Sequence, residues 1–482
     1  MKQAIKNYIS CTSCHGNGMK SQGVSKRKLQ RYESALAQLK NDQPIPNHLK
    51  KPTATLQICT ACEGTGLIAC ETIPASQSTY PHVGIIGAGI GGVALALACL
   101  HRQIPFTLFE RDRAFDDRSQ GYGLTLQQAS KEMKKFGISS LEEGIVSTLH
   151  LAHTHEGEVI GQWGLRNLTD QQKIAEKNKN RSTNVHIARQ ALRQALLDQL
   201  GGNDQVVWNH RLKSFHTADQ VELIFDVNGQ DKHYEVDLLV GADGIRSAVR
   251  QQLIAEELYP LRYLGCLVVL GICSLDSIPL PPHELLDGHT VFQTANGTER
   301  MYMMPYDRNS IMWQFSFPIT EENAKIISQK GAIALKEEVM KRTAWHTPIP
   351  QIIEATEPTK ITGYPVYDRE ILNPSYLTHA GPVTLIGDAA HPMSPFKGQG
   401  ANQALLDALQ LAQKIKTIYS QKHEAIVIRE AILQPFEEEM IKRSSVKVKK
   451  SAEAAQFLHS EIVLKKGNVT FGSKFNSNKD EL

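Results

Sequence analysis

The chain has 482 residues, 41% of them hydrophobic and 21% charged, with a net charge of +3. That length exceeds one small core and suggests about three lobes. The near-balanced charge gives no global reason to expect nucleic acid, and the longest apolar run, Val93 to Leu100, falls far short of the roughly 20 residues of a membrane span.

Lys2 and Lys6 are not followed by the apolar stretch of a secretory signal, so the expectation is a soluble, cytoplasmic protein. The closing Lys479, Asp480, Glu481 and Leu482 spell an endoplasmic-reticulum retention signal. Such a signal is read only in the lumen, so coincidence is the expectation. Cytosolic thiols stay reduced, which favours metal-binding or buried roles for the eight cysteines. Cys70, Cys99, Cys266 and Cys273 are scattered singly and read as small buried hydrophobes.

The other four cysteines fall in two copies of CTxCxGxG, Cys11 to Gly18 and Cys59 to Gly66. Two CxxC pairs supply the four soft ligands of tetrahedral zinc, each sulfur about 2.3 Å from the metal. Gly16, Gly18, Gly64 and Gly66 allow the positive φ needed to fold back towards it. A redox dithiol is the alternative. The pattern resembles the zinc-binding repeats of DnaJ-type co-chaperones, where four repeats make two sites. Two repeats here imply one structural site, with Cys11, Cys14, Cys59 and Cys62 as ligands.

Between the repeats, Leu29, Tyr32, Leu36 and Leu39 make one stripe of an amphipathic helix. From Lys20 to Lys51 the insert carries eight Lys/Arg against Glu33 and Asp42. A solvated face is the ordinary reading, and docking to RNA or an acidic partner is the other. Pro74 to Thr79 reads as a linker, with a boundary near Tyr80.

Next come a short strand at Val83 to Ile86, the turn Gly87-x-Gly89-x-x-Gly92, a helix from Val93, and a second strand ending at Glu110. Gly87 makes the tight turn, Gly89 lets backbone approach a pyrophosphate, and Gly92 permits close helix-on-strand packing. The helix N-terminus faces phosphate charge, and Glu110 can accept from a ribose. This unit binds a dinucleotide but does not choose between NAD and FAD. Two later stretches repeat its logic: a strand from Leu238 opening at Asp243-Gly244, and a strand ending in Gly387-Asp388 before a glycine-rich loop and a helix.

These motifs, in this order, resemble the fingerprint of class A FAD-dependent monooxygenases, the para-hydroxybenzoate hydroxylase type. The chain is most similar to the flavin-dependent tetracycline monooxygenases and salicylate-hydroxylase-like enzymes, over about Pro81 to Ser460. The resemblance implies that Glu110 holds the adenosine ribose with Arg111 alongside, that Arg189 contacts FAD, and that Asp388 takes the ribityl hydroxyls. It implies that Asp243 braces the pyrophosphate side, that Gly398, Gly400 and Asn402 offer backbone donors to the pyrimidine edge, and that Arg300 contacts flavin or nicotinamide. The implied chemistry is reduction of FAD by NADPH or NADH, oxygen addition at C4a, and hydroxylation of an aromatic or polycyclic molecule. His391 reads either as a base or as a packed loop histidine. Tyr302, Trp313, Phe315 and Phe317 read either as substrate pocket or as core.

The expected fold is α/β: a Rossmann-like FAD domain (80–254 and 366–422) with an inserted, mostly antiparallel substrate sheet (255–365). A zinc lobe (1–79), a C-terminal helix (423–466) and a flexible tail (467–482) complete it. An FAD-dependent reductase, or a redox-sensing flavoprotein whose zinc lobe docks a partner, is the alternative function.

Overall fold

The computed structural model describes residues 6–37, 52, 54–117, 121–167, 184–421 and 426–465. The expected tail at 467–482, with its terminal signal, and the insert residues 38–51, Leu39 included, lie outside the described residues.

The strands Val83–Ile86, Leu238–Gly241 and Val383–Leu385 are buried along their whole length, as expected of parallel strands covered on both faces. They form a five-stranded parallel sheet in the order Val206–Val207, Phe106–Phe109, Val83–Ile86, Leu238–Gly241, Val383–Leu385. The crossover from Val83–Ile86 to its neighbour Phe106–Phe109 is the helix Ile90–Leu100, nearly all of it buried. The three glycine motifs thus follow the carboxyl ends of three adjacent strands. Residues more than a hundred positions apart meet at one edge, where open α/β sheets place their ligands.

The second layer is a seven-stranded sheet ordered Val159–Trp163, Leu149–Thr154, Thr290–Ala295, Arg300–Asp307, Ser310–Pro318, Arg262–Ser274, Ile361–Asp368. It is mostly antiparallel. Residues 149–163, expected with the FAD-domain segment 80–254, belong instead to this sheet: Leu149–Thr154 pairs in parallel with Thr290–Ala295, Leu149 opposite Thr290 and Thr154 opposite Ala295. Pairing between strands so distant in sequence satisfies an edge that local periodicity does not reveal.

Strand parity settles the aromatic residues. Trp313, Phe315 and Phe317 are fully buried among Leu335, Val339 and Ile349 of the helices that cover one face of the sheet. They are core. Met312 and Gln314, one residue out of phase, look the other way with Tyr302. The helix Gln434–Phe457 spans both layers, with Phe436 and Met440 in the core of the parallel sheet and Ala454 and Ala455 against Val268 and Leu270.

At the N-terminus, Asn7–Ser10 pairs antiparallel with Leu67–Cys70, and Met19–Ser21 with Leu56–Ile58. The insert helix Lys26–Ala37 buries no residue; Leu29 is exposed, and Tyr32 and Leu36 are half-buried. No helix among the described residues is long and apolar enough to cross a membrane.

Candidate functional site

A cavity of about 1400 Å³ lies between the carboxyl edge of the parallel sheet and the open face of the seven-stranded sheet. Gly89, Arg189, Asp388, Gly398, Gly400 and Arg300 all line it, with Gly387 beside Asp388.

The glycine turn shows a division of labour. A Cβ on Gly87 (φ +101°) would sit 2.7 Å from the Ala242 carbonyl oxygen, and one on Gly92 would sit 1.8 Å from the Gly87 carbonyl oxygen. Both positions are closed to any side chain. At Gly89 the nearest atom to such a Cβ is Arg189 Nη2, 3.8 Å away. The unfilled side of the turn therefore faces the cavity at a helix N-terminus, where backbone N–H groups favour an anion.

Glu110 and Arg111 stand apart from this lining. The Glu110 carboxylate accepts from Ala88 N–H at 2.7 Å and Asp112 N–H at 3.1 Å, which fixes it beside the turn. Arg111 is exposed and belongs to a small surface depression with Asp112 and Arg113. Arg193, which the sequence pattern did not single out, holds the turn from behind: its Nε donates to the Ala88 carbonyl at 2.7 Å, and its guanidinium lies 4.7 Å from the Phe115 ring centroid. It lies one turn beyond Arg189, and that spacing was the available signal.

Asp243 is a brace rather than a wall of the cavity. Its Oδ2 accepts from the N–H groups of Ala248 at 2.7 Å and Val249 at 3.3 Å. The Asn402 side chain, fully buried, stitches two loops together. Its Oδ1 accepts from Gln127 and Ala129 N–H, and its Nδ2 donates to the Thr125 and Gly398 carbonyls. Asp388 is open to the cavity yet deep among protein atoms. That desolvation raises its carboxyl above the ordinary value, with His391 and Arg189 pulling it back down. His391 is buried, its Nε2 2.7 Å from Asp407 Oδ2, and Arg443 also bonds Asp407. This is the packed loop histidine, not a base facing the cavity.

Across the cavity, Arg300 is 2% exposed, donates from Nε to Gln293 Oε1 at 3.1 Å, and lies over the Tyr302 ring at 4.9 Å. Burial lowers its pKa to about 10. Lys397 and, on the C-terminal helix, Lys447 and Lys450 line the same space. Burial lowers the Lys397 ammonium, and the like charges of Arg300 and Lys450 lower it further, against Glu453. Such a cluster favours an anion.

One wall carries a hydrogen-bonded chain that sequence reading missed. Thr125 Oγ1 lies 3.1 Å from His186 Nδ1, His186 Nε2 lies 2.8 Å from Ser147 Oγ, and Ser147 Oγ lies 3.0 Å from His150 Nε2. His150 stacks on Trp163 at 5.4 Å. Burial lowers His186 to about 3 and His150 to about 4, so both rings are neutral at pH 7. Each then has one donor and one acceptor nitrogen, as a proton relay requires.

Away from the cavity, the sulfurs of Cys11, Cys14, Cys59 and Cys62 all lie within 4.8 Å of one another, and all four residues are buried. Cys14 and Cys62 are 3.6 Å apart, close to a tetrahedron edge at metal–sulfur bonds of about 2.3 Å. Gly18 N–H donates to Cys14 Sγ and Gly66 N–H to Cys62 Sγ, each at 3.2 Å. The repeats are equivalent in structure as well as in sequence.

Residues 80–430 match the family described as FAD binding domain. The chain belongs to that family. It is 30% identical, over 68% of its length and 79% of the relative's, to the aurachin C monooxygenase/isomerase of Stigmatella aurantiaca. It is 29% identical, over 75% and 88%, to the phenazine 1,6-dicarboxylic acid hydroxylase PhzS of Lysobacter antibioticus. Among solved structures, Klebsiella pneumoniae HpxO complexed with FAD and uric acid shares the fold at TM-score 0.65 and 22% identity, covering 80% of this chain and 92% of that one. These relatives are named as a monooxygenase/isomerase and a hydroxylase, which does not favour the reductase and redox-sensor alternatives.

Proposed function

We propose that this FAD-binding protein uses NADPH or NADH and O2 to hydroxylate a planar aromatic molecule that carries an anionic group. The observation that carries this reading is one continuous cavity lined both by Gly89, Asp388 and Gly398 and by Arg300, Lys397, Tyr302 and Gln314. The first set suits a dinucleotide and the second an anionic aromatic ring. The relative named for phenazine 1,6-dicarboxylic acid supports that class.

In this reading Gly87, Gly89 and Gly92 shape the pyrophosphate turn with Arg189 beside it, and Glu110 receives the adenosine ribose, with Arg111 at the outer end. Asp388 takes the ribityl hydroxyls, while Gly398 and Gly400 present N–H groups to the isoalloxazine edge, held in place by Asn402. Asp243 keeps the middle strand's turn in shape. Bound FAD supplies hydride acceptance from nicotinamide and the activation of oxygen. The protein orients the ring and excludes water, Arg300 neutralises negative charge on flavin, nicotinamide or substrate, and the chain from Thr125 to His150 carries a proton along that wall of the cavity.

The test is NADPH and NADH oxidation by purified holoprotein across phenols, quinones and aromatic carboxylates. Stimulation by the carboxylates, with loss of the visible flavin band, is expected. Protein that carries no FAD, or FAD that neither nucleotide reduces, overturns the reading.

For the four cysteines the reading is one structural Zn2+, since four buried thiols leave no open position for chemistry. Native mass spectrometry should show one zinc, lost on Cys59→Ser. Disulfides and no metal would refute it.

A further inference from the structure

The flavin cavity and the four-cysteine lobe contact the same three helices, the cavity at their N-termini and the lobe at the far ends of two and the middle of the third. Ile90–Leu100 begins behind Gly89, Arg189–Leu200 begins at Arg189, and Gly400–Gln421 begins at Gly400; those three residues line the cavity. Away from it, the first cysteine repeat and the strand before it touch all three helices. Ser10 N–H donates to the carbonyl of His101, just past the first helix, at 2.8 Å. Gln199, one residue from the end of the second, donates from Nε2 to the Lys6 carbonyl at 2.7 Å. Gln413, midway along the third, donates from Nε2 to the His15 carbonyl at 2.6 Å. Tyr8 meets the His101 ring edge-on, with centroids 6.1 Å apart.

Arg102 closes the arrangement. It is 2% exposed. Its Nη1 donates to Ala98 carbonyl at 3.0 Å, while Nε and Nη2 donate to Gln413 Oε1 at 3.3 and 3.2 Å, so it ties the first helix to the third directly beneath the lobe. Gly16 makes the contact possible. A Cβ there would lie 2.5 Å from Ser10 Oγ, 3.0 Å from Gln413 Oε1 and 3.7 Å from Arg102 Nη2. The matching glycine of the second repeat, Gly64, has Ile58 as its nearest neighbour at 3.3 Å. Two repeats alike in sequence therefore do different jobs: one docks on the flavin layer and the other completes the metal site. Four thiolates around a divalent ion leave a net negative charge, and Arg102 is the buried cation beside the docked repeat.

We propose that Arg102 and Gln413 are positioning residues that couple metal filling of the four-cysteine site to flavin retention. This rests on the zinc reading above. With metal bound, the first repeat holds its shape and fixes the far ends of the first two helices and the middle of the third, whose near ends form the flavin site. Without metal, Cys11 and Cys14 lose their tie to Cys59 and Cys62, the His15–Gly16 turn leaves Gln413, and the near ends lose register.

The experiment uses purified holoprotein, with zinc measured by mass spectrometry and the FAD Kd by the fluorescence of released flavin. Zinc removal by a chelator should raise the FAD Kd at least tenfold, and added Zn2+ should reverse the change. Coupling is reciprocal, so FAD must tighten zinc binding by the same factor. Arg102→Gln and Gln413→Ala should keep zinc yet show the raised FAD Kd, with little further change on chelation, and Arg102→Lys should restore part of the coupling. If zinc is present and its removal leaves the FAD Kd within twofold, the coupling is wrong while the zinc reading stands. If no zinc is bound, both fall.

Discussion

Arg193 Nε donates to the carbonyl of Ala88 at 2.7 Å, so the helix Arg189–Leu200 holds the glycine turn from the side away from the cavity. With that donor removed, a buried carbonyl loses a charged partner worth about 1.5–3 kcal/mol. Arg193→Met should therefore weaken FAD binding by roughly tenfold or more and lower the melting temperature. Flavin fluorescence titration and a thermal melt check both, and an unchanged FAD Kd would show that the turn holds its own shape.

Asn402 makes four hydrogen bonds while fully buried. Asn402→Ala would leave two N–H groups and two carbonyls without their partner, at a cost on the order of 3 kcal/mol. Urea denaturation should register that loss with and without FAD.

The two faces of the strand Ser310–Pro318 should respond differently. Trp313→Ala empties a core position and frees the Thr356 hydroxyl that accepts from Trp313 Nε1 at 2.9 Å, so destabilisation of about 3–5 kcal/mol is expected. Gln314→Leu, on the cavity face, should leave the melting temperature nearly unchanged and alter which aromatic compounds stimulate NADPH oxidation.

Buried histidines set the acid side of the stability curve. Burial, with Arg102 nearby, lowers His101 to about 3, and burial with His150 lowers His186 to about 3. In the unfolded chain such groups titrate near 6.5. As pH falls below that value the unfolded state takes up protons first, so stability is complete above about 6.5 and erodes towards about 3, by up to about 1.4 kcal/mol per pH unit for each group. His101→Phe should flatten the slope of unfolding free energy against pH between 6 and 4. A slope equal to that of the unmutated protein would mean that His101 protonates in the folded state.

Ser147→Ala breaks the Thr125–His186–Ser147–His150 chain at its third member without touching the glycine turns. With a stimulating aromatic compound in hand, kcat should fall by about 10²-fold or more and its pH profile should change, while the FAD Kd stays as it was. An unaltered profile would remove the relay from the reaction.

The division between what could be read along the chain and what could not follows the range of the interactions. Gly87, Gly89 and Gly92 are legible because a tight turn, a close approach and a packed helix each forbid a Cβ locally. The four cysteines are legible because metal ligands come in pairs from single turns. Residues 149–163 joined the other sheet because the edge of Thr290–Ala295 completes its hydrogen bonds there, and no local pattern encodes that partner. Arg193 and Ser147 act through contacts between segments far apart in sequence, and the same is true of Arg102.

By itself, then, the sequence determined the parallel dinucleotide layer, the order of its three turns, the identity of the thiol cluster and the alternation that makes Trp313 and Gln314 opposites. Only the tertiary structure decided which of those two faces is core, that His391 pairs with Asp407, that Arg300, Lys397, Lys447 and Lys450 share the cavity with Asp388, and that the first cysteine repeat rests on the flavin-site helices away from the cavity. Local sterics and period are written residue by residue, whereas the choice of packing partner is a property of surfaces that exist only once the chain has folded.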